Sequence, residues 1–147
     1  MGADLYIDNE AYSALNDALQ RMLDGEQNRE EVTELNTAFH DSPDYFRDPY
    51  NGLCVMWTLN ISWWDDVIPM LDTEGCLSGE PLRQLYKKIE ASVQILPTLE
   101  MLRENHVMVD ENQTVEMWQE FLLDKREKLC SFLQRAIQND SKVVCSL

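Results

Sequence analysis

Apolar residues recur every three or four positions along most of the chain, and this pattern predicts a protein dominated by helices. The spacing places one apolar stripe on each of four helices, expected at about residues 9–24, 29–39, 78–96 and 114–138. A shorter helical turn is expected at about residues 98–104. The pattern therefore favours a core built mainly by helices packing on helices.

The two ends of the chain differ from the rest, because their patterns are typical of strands. Residues 3–8 alternate, with Ala3, Leu5 and Ile7 on one side and polar or aromatic groups on the other. Residues 142–147 form a run rich in β-branched side chains. We therefore expect the two ends to pair as a two-stranded mini-sheet. This sheet must pack against the helices, because an isolated pair of strands is marginally stable in water.

The middle of the chain is its most apolar part. From about Gly52 to Ile68, hydrophobic side chains would occupy nearly every side of a helix, which is typical of a helix covered by its neighbours. Pro69 then ends or kinks that helix. These patterns predict a mainly α fold in which residues 1–147 form one domain. The domain would be a compact bundle of about five helices around a central apolar helix.

Residues 40–51 are the least regular stretch, because Pro43 and Pro49 exclude the interior of a helix. The stretch interleaves aromatic side chains with one arginine and one aspartate, on a predicted loop that leads into the central helix. With two tryptophans further along, it supplies the best candidates for a ligand or partner site, namely Tyr45, Phe46, Arg47, Asp48, Tyr50, Trp63 and Trp64. The alternative, which the pattern favours, is a structural role in which the aromatic side chains anchor the loop and Asn51 caps the next helix.

Acidic residues outnumber basic residues by 27 to 12, which gives a formal net charge of −15. Residues 1–51 carry 12 acids and 3 bases, whereas residues 113–147 carry 5 of each. Direct binding of nucleic acid is not expected, because it needs clustered lysine and arginine. The first two predicted helices would present an acidic face formed by Asp17, Asp24, Glu26, Glu30, Glu31 and Glu34. This face either attracts a basic partner protein or only keeps the protein in solution.

The sequence offers no recognisable catalytic or metal site. Nucleophilic catalysis needs a serine or cysteine beside an oriented base, but the two histidines, His40 and His106, lie far apart among polar residues. No glycine-rich phosphate loop and no zinc-ligand spacing occur. Asp65 and Asp66 are adjacent, and neighbours on a helix diverge by about 100°, so they do not converge on one ion. We therefore expect no enzyme activity, no cofactor and no metal.

The cysteine and hydropathy patterns indicate the compartment. The four cysteines, Cys54, Cys76, Cys130 and Cys145, form no Cys-x-x-Cys pair and lack a secreted context, so we expect all four to be reduced. There is no apolar run of about 18 residues, which a membrane span needs. The N-terminus has no basic and apolar leader. These features predict a soluble cytoplasmic protein without a membrane anchor.

Four short elements of the sequence are distinctive: MGADLYI at Met1–Ile7, YFRDPYN at Tyr45–Asn51, SWW at Ser62–Trp64 and VVCSL at Val143–Leu147. They resemble elements of a family of small bacterial proteins, some associated with phages, for which no activity is known. Because the elements lie at both ends and in the middle, the resemblance spans the whole chain. It implies no catalytic residue, and its phage association favours an antagonist of host machinery.

Two hypotheses about function follow. The leading one is a non-enzymatic acidic protein that binds a basic partner protein as an inhibitor. Such a protein would be either a phage-type inhibitor of host nucleic-acid machinery, such as an anti-CRISPR-like protein or DNA mimic, or an immunity-type protein. The alternative is a small-ligand-binding domain with a pocket between the Tyr45–Asn51 loop and Trp63 or Trp64. Surface carboxylates without a pocket would favour the first hypothesis, and an aromatic-lined cavity would favour the second.

Overall fold

The computed structural model describes residues 2–49 and 53–147, and it combines helices with a four-stranded antiparallel sheet. The strands are β1 (Gly2–Ile7), β2 (Tyr45–Pro49), β3 (Cys76–Leu77) and β4 (Val143–Ser146). The α-helices are α1 (Glu10–Leu23), α2 (Arg29–His40), α3 (Val55–Thr58), α4 (Gly79–Ala91), α5 (Leu99–Glu104) and α6 (Val115–Gln138). A π-helical turn, Trp63–Val67, and a 3-10 turn, Ile68–Met70, follow α3. Helical residues make up 57% of the described chain.

The sheet joins the two ends of the chain at its centre. Its strand order is β2-β1-β4-β3, and each neighbouring pair is antiparallel. Leu5 of β1 lies opposite Phe46 of β2 on one side and opposite Cys145 of β4 on the other. The predicted pairing of the two ends is therefore confirmed, but the pair forms the middle of a larger sheet.

The prediction of a helix bundle with a two-stranded mini-sheet is wrong, because it missed the two outer strands. Strand β2 lies in the stretch that was interpreted as an irregular loop. Its side chains do alternate, but one of the inward positions is occupied by the charged Asp48, which hides the apolar pattern. Strand β3 has only two residues, too few to give a periodic pattern. The fold is therefore α+β, with helices packed on an antiparallel sheet.

The main core lies between one face of the sheet and helices α4 and α6. Alternation along β1 turns Ala3, Leu5 and Ile7 toward this face, and all three are buried. The helices contribute a matching set of buried side chains, namely Leu82, Leu85, Ile89, Leu129, Phe132, Leu133 and Ala136. Among the described residues, no helix is both long enough and apolar enough to cross a membrane.

The predicted central helix is also wrong. In its place the chain forms the four-residue α3, an irregular stretch and then the π-helical turn; the expected start at Gly52 lies outside the described residues. Asn60 ends the first part with a φ of 55°, in the left-handed region that asparagine tolerates. The hydroxyl of Ser62 then accepts the backbone N–H of Asp65 and caps the π-helical turn. The segment is nevertheless largely buried, with core residues Val55, Met56, Leu59, Ile61, Trp63 and Val67.

Helix α4 ends at Ala91, before the expected limit near residue 96. The guanidinium of Arg126 in α6 donates to three backbone carbonyls at this end. These are the carbonyls of Ile89, Glu90 and Ser92, at 3.0, 3.3 and 2.7 Å. The last carbonyl groups of a helix have no hydrogen-bond donor within the helix, and Arg126 supplies a donor to carbonyls of this kind. The chain continues without helical structure, and Val93, expected on the apolar stripe, is 85% exposed. Helices α1, α2, α5 and α6 match their predicted limits to within one residue.

Helices α1 and α2 pack together outside the main core, and we call the segment Glu10–His40 the acidic hairpin. Its buried side chains are Leu15, Ala18, Val32 and Phe39, none of which belongs to the main core. Phe39 stacks on Tyr6 of β1 with 6.1 Å between ring centroids. Because Tyr6 faces away from the core side of the sheet, the acidic hairpin covers the opposite, outer face.

Candidate functional site

Asp48, one of the predicted site residues, is a buried acceptor inside the protein. Its carboxylate accepts the backbone N–H groups of Val55 and Met56 at 2.8 and 3.3 Å. Both groups belong to the start of α3, where a helix leaves donors without internal partners. The carboxylate also accepts the indole N–H of Trp63 at 2.9 Å, which gives that buried ring the partner it needs. Asp48 therefore ties β2 to α3 and to the π-helical turn.

The charge on Asp48 is held in a poorly solvated place. Burial raises the pKa of its carboxyl above the ordinary 3.8, and the hydrogen bonds from the protein oppose that rise. The positive charge of Lys125 also opposes it. The Lys125 ammonium donates to the carbonyl of Arg47 at 2.6 Å and lies 5.1 Å from the centre of the Phe46 ring. Both carboxylate oxygens of Asp48 are thus engaged within the protein.

Tyr45 and Arg47 lie on the other face of β2 and contact Asp4 of β1. The Tyr45 hydroxyl donates to the Asp4 carboxylate, and the Arg47 guanidinium lies 3.3 Å from the same oxygen. Burial and then this hydrogen bond raise the pKa of Tyr45 to about 12. Arg47 is largely exposed, and an exposed ion pair contributes at most about 1 kcal/mol. Because successive strand residues point to opposite faces, this pair is separated from Asp48.

An aromatic cluster connects the outer face of the sheet to the acidic hairpin. The ring of Tyr45 lies 4.3 Å from that of His40 and 5.4 Å from that of Tyr6, measured between centroids. Tyr6 also contacts Tyr12 of α1 at 5.5 Å. Tilted aromatic pairs at these separations are favourable beyond the area that they bury. His40, expected at the surface, is half-buried in this contact.

The predicted binding candidates are divided among different parts of the molecule. Three are buried: Phe46, Asp48 and Trp63. Two lie on the outer face of the sheet: Tyr45 and Arg47. Trp64 is 57% exposed and lines a surface groove. Tyr50 falls outside the described residues, as does Asn51.

The groove beside Trp64 has a volume of about 570 Å³, and we call it the tryptophan groove. Its walls include Trp57, Trp64, Asp65, Asp66, Ile95 and Met101. The described part of the predicted loop, Tyr45–Pro49, does not line it. Trp63 also lines the groove, and its indole N–H donates to Asp48. The groove is within the size range of ligand pockets, about 300–1,000 Å³.

A second, more polar groove of about 830 Å³ runs between the end of α2 and helix α6, with Tyr45 among its lining residues. An ion pair beside this groove is not predicted by the sequence patterns. The Arg135 guanidinium of α6 lies 2.7 Å from the Asp44 carboxylate, which also accepts the side-chain N–H of Asn9 at 3.0 Å. This pair links α6 to the start of β2 and to the cap of α1. No pattern in the sequence indicates it, because the two charged residues are 91 positions apart.

All six residues of the predicted acidic face are exposed on the acidic hairpin: Asp17, Asp24, Glu26, Glu30, Glu31 and Glu34. None of the six forms an ion pair with any residue that the structure describes. Across Glu10–His40 the sequence has seven acids and only two arginines. The nearest polar contacts are weak, such as Gln20 to Asp24 at 3.3 Å. The acidic hairpin therefore presents uncompensated negative charge to solvent.

One cluster of potential metal ligands was not indicated by the sequence analysis. The ligand atoms of Asp72, Glu74 and Cys76 all lie within 4.8 Å of one another. The Asp72 carboxylate accepts the backbone N–H groups of the other two residues, both at 2.9 Å. These hydrogen bonds lower the pKa of Asp72, while burial raises the pKa of the Cys76 thiol. Glu74 pairs with Lys142 at 3.4 Å. The contacts form the turn that leads into β3.

No protein-family model, curated protein or solved structure matches this chain. The acidic hairpin presents six exposed carboxylates to solvent, and the tryptophan groove presents exposed indole rings beside Asp65.

Proposed function

We propose that this chain is a non-enzymatic interaction protein that binds a basic surface of a partner protein through the acidic hairpin. The observation that carries the proposal is the array of six exposed carboxylates, none of which forms an ion pair within the described residues. Like charges held on two packed helices repel one another. A partner rich in lysine and arginine would relieve that repulsion on binding.

The position of the acidic hairpin suits such a role. Its apolar residues pack among themselves and against the outer face of the sheet, apart from the main core. A partner can therefore cover the acidic face without disturbing the side chains that stabilise the sheet. Its negative field would also attract a basic partner over a distance and raise the association rate.

Basic protein surfaces commonly bind the phosphate backbone of nucleic acid. An array of negative charges on a protein can therefore compete with nucleic acid for such a surface. The proposal therefore takes two forms. The protein inhibits nucleic-acid machinery of a host in the manner of an anti-CRISPR-like protein or DNA mimic, or it covers a basic toxin in the manner of an immunity protein. Either form acts in the cytoplasm, where we place this chain.

Affinity capture with a charge-matched control tests the proposal. The immobilised protein is compared with a variant carrying Glu30→Lys, Glu31→Lys and Glu34→Lys, in an extract of the cell that makes it. The control carries Glu116→Lys, Glu120→Lys and Glu127→Lys, three exposed residues of α6, and changes the net charge equally. We expect a basic protein that binds the wild type and the control but not the hairpin variant. Equal capture by all three proteins would contradict the proposal.

A further inference from the structure

We propose that the tryptophan groove binds an arginine or lysine side chain presented by a peptide segment of a partner. This site is separate from the acidic hairpin and does not depend on the proposed function. Its chemistry follows from three features of the groove: exposed indole rings, a carboxylate that forms no ion pair with any described residue, and an apolar wall.

The first feature is the pair of exposed tryptophans. Trp57 of α3 is 48% exposed and Trp64 of the π-helical turn is 57% exposed, although both are large hydrophobic side chains. The fold holds Trp64 outward because its neighbour Trp63 points inward and donates its indole N–H to Asp48. π-Helical turns often occur at functional sites. Indole is also the best aromatic partner for a cation, which it attracts through the negative face of the ring.

The second feature is the charge of the groove. Its lining within the described parts of the chain includes two acids and no lysine, arginine or histidine. Asp66 is already paired with Lys88 at 2.5 Å. Asp65 is exposed and forms no ion pair among the described residues; one of its oxygens accepts the Ser62 hydroxyl at 3.1 Å. Asp65 therefore supplies the negative charge for a cationic group.

The third feature is the apolar wall. Ile95, which is 59% exposed, and the half-buried Met101 lie in the same groove as the tryptophans. Arginine and lysine carry aliphatic stems that pack on such surfaces while the charged head reaches a polar partner. A neutral apolar ligand would leave Asp65 unused, and an anion would be repelled by it. A cationic side chain with an aliphatic stem uses all three features.

Two synthetic peptides test the site. The first is acetyl-Leu-Arg-Leu-amide, and the second replaces arginine with citrulline, which has nearly the same shape but no charge. Each is titrated into the full-length protein at physiological salt while the indole N–H resonances of its four tryptophans are followed by NMR. We expect the arginine peptide to shift the Trp57 and Trp64 resonances. The citrulline peptide should bind about tenfold more weakly, a difference of about 1.4 kcal/mol.

Variants of the protein locate the binding. Trp64→Ala and Asp65→Asn should each weaken binding of the arginine peptide severalfold, because they remove the ring and the charge that hold the cation. The variant with Glu30→Lys, Glu31→Lys and Glu34→Lys should bind the peptide as the wild type does. Both groove residues are exposed, and the unchanged Trp118 resonance shows that each variant is folded. Equal binding of the two peptides, or binding lost in the hairpin variant but kept in the groove variants, would overturn the proposal.

Discussion

The sheet and the acidic hairpin both carry carboxylates, but the protein uses them differently. Near the sheet, Asp4 and Asp44 pair with arginines, and Asp48 accepts three N–H groups of neighbouring segments. On the acidic hairpin, six carboxylates are exposed and none has a basic partner in the described residues. Removing a carboxylate that buried donors rely on leaves those donors unsatisfied, whereas a carboxylate left in solvent is available to another molecule.

Local composition around Asp48 does not distinguish a binding site from a structural one. The aromatic and charged stretch around Asp48 looks like a site, yet its inward-facing groups are engaged within the protein. The acidic hairpin looks like an ordinary solvated surface, yet six of its carboxylates have no basic partner among the described residues. The two regions should therefore respond oppositely to substitution, with stability changing at the sheet and association changing at the hairpin.

The largest expected effect on stability comes from removing Val143–Leu147. This deletes β4, which lies between β1 and β3 and contributes the fully buried Val143 to the core. We expect the shortened protein to lose its cooperative thermal unfolding transition, followed by circular dichroism. The comparison variant with Glu30→Lys, Glu31→Lys and Glu34→Lys should unfold cooperatively near the wild-type temperature. An unchanged melting temperature after the deletion would show that the sheet does not hold the two ends together.

The next largest effect is expected for Asp48→Ala. The substitution leaves the backbone N–H groups at the start of α3 and the Trp63 indole N–H buried without their acceptor. The free energy of unfolding should fall by about 3–5 kcal/mol, measured by urea denaturation. The exposed Asp65 provides the control, since Asp65→Ala should change stability by about 0.5 kcal/mol or less. Similar small losses for both variants would mean that Asp48 has no structural role.

A smaller effect, with a definite sign, is expected from pH. Burial raises the pKa of Asp48 in the folded protein above 3.8. Between 3.8 and that raised value, the folded protein holds more protons at Asp48 than the unfolded chain does, so its contribution to stability falls as pH rises. The stability of the wild type relative to Asp48→Asn should therefore decrease with rising pH across this window, in urea denaturation at several pH values. A relative stability that increases there would refute the raised pKa.

The smallest effect on stability is expected for Arg47→Ala. Arg47 is exposed, and its ion pair with Asp4 at 3.3 Å belongs to the outer face of the sheet. The free energy of unfolding should change by at most about 1 kcal/mol, because water screens such a pair. Calorimetric unfolding of this variant and of Arg83→Ala, which removes another exposed pair at 3.2 Å, makes a matched comparison. A loss several times larger for Arg47 alone would place it among the structural residues of the sheet.

The sequence predicts those parts of the fold in which apolar spacing alone determines the structure. The limits of α1, α2, α5 and α6 and the pairing of the two ends follow from such patterns. Strand β2 could not be predicted because Asp48 occupies one of its inward positions, where an apolar residue would be expected. The hydrogen-bond partners of this carboxylate are known only from the folded structure. The prediction of one central helix is wrong because the apolar residues of this segment suggest an unbroken helix. Asn60 ends one helical segment and Ser62 begins the next, and these two polar residues are a weaker signal in the sequence.

The two candidate sites also differ in how far the sequence alone predicts them. Exposure of Asp17, Glu30, Glu31 and Glu34 follows from the amphipathic spacing of α1 and α2, and Asp24 and Glu26 lie in the turn between the two helices. The tryptophan groove could be predicted only in part, because Trp57, Trp64 and Ile95 are brought together by an irregular backbone. The split between Trp63 and Trp64 does follow from their adjacency, since neighbouring residues on a helical turn point in different directions.

The rate at which the captured partner associates, measured against salt concentration, tests the central claim most directly. Screening limits the reach of the field to about 8 Å at physiological salt, so association with the wild type should slow steeply as salt rises. The hairpin variant with Glu30→Lys, Glu31→Lys and Glu34→Lys should associate more slowly at low salt, and its rate should depend less on salt. The variant with charge-matched changes at Glu116, Glu120 and Glu127 should keep most of the salt dependence. An association rate indifferent both to salt and to the hairpin reversal would show that the acidic hairpin only keeps the protein in solution.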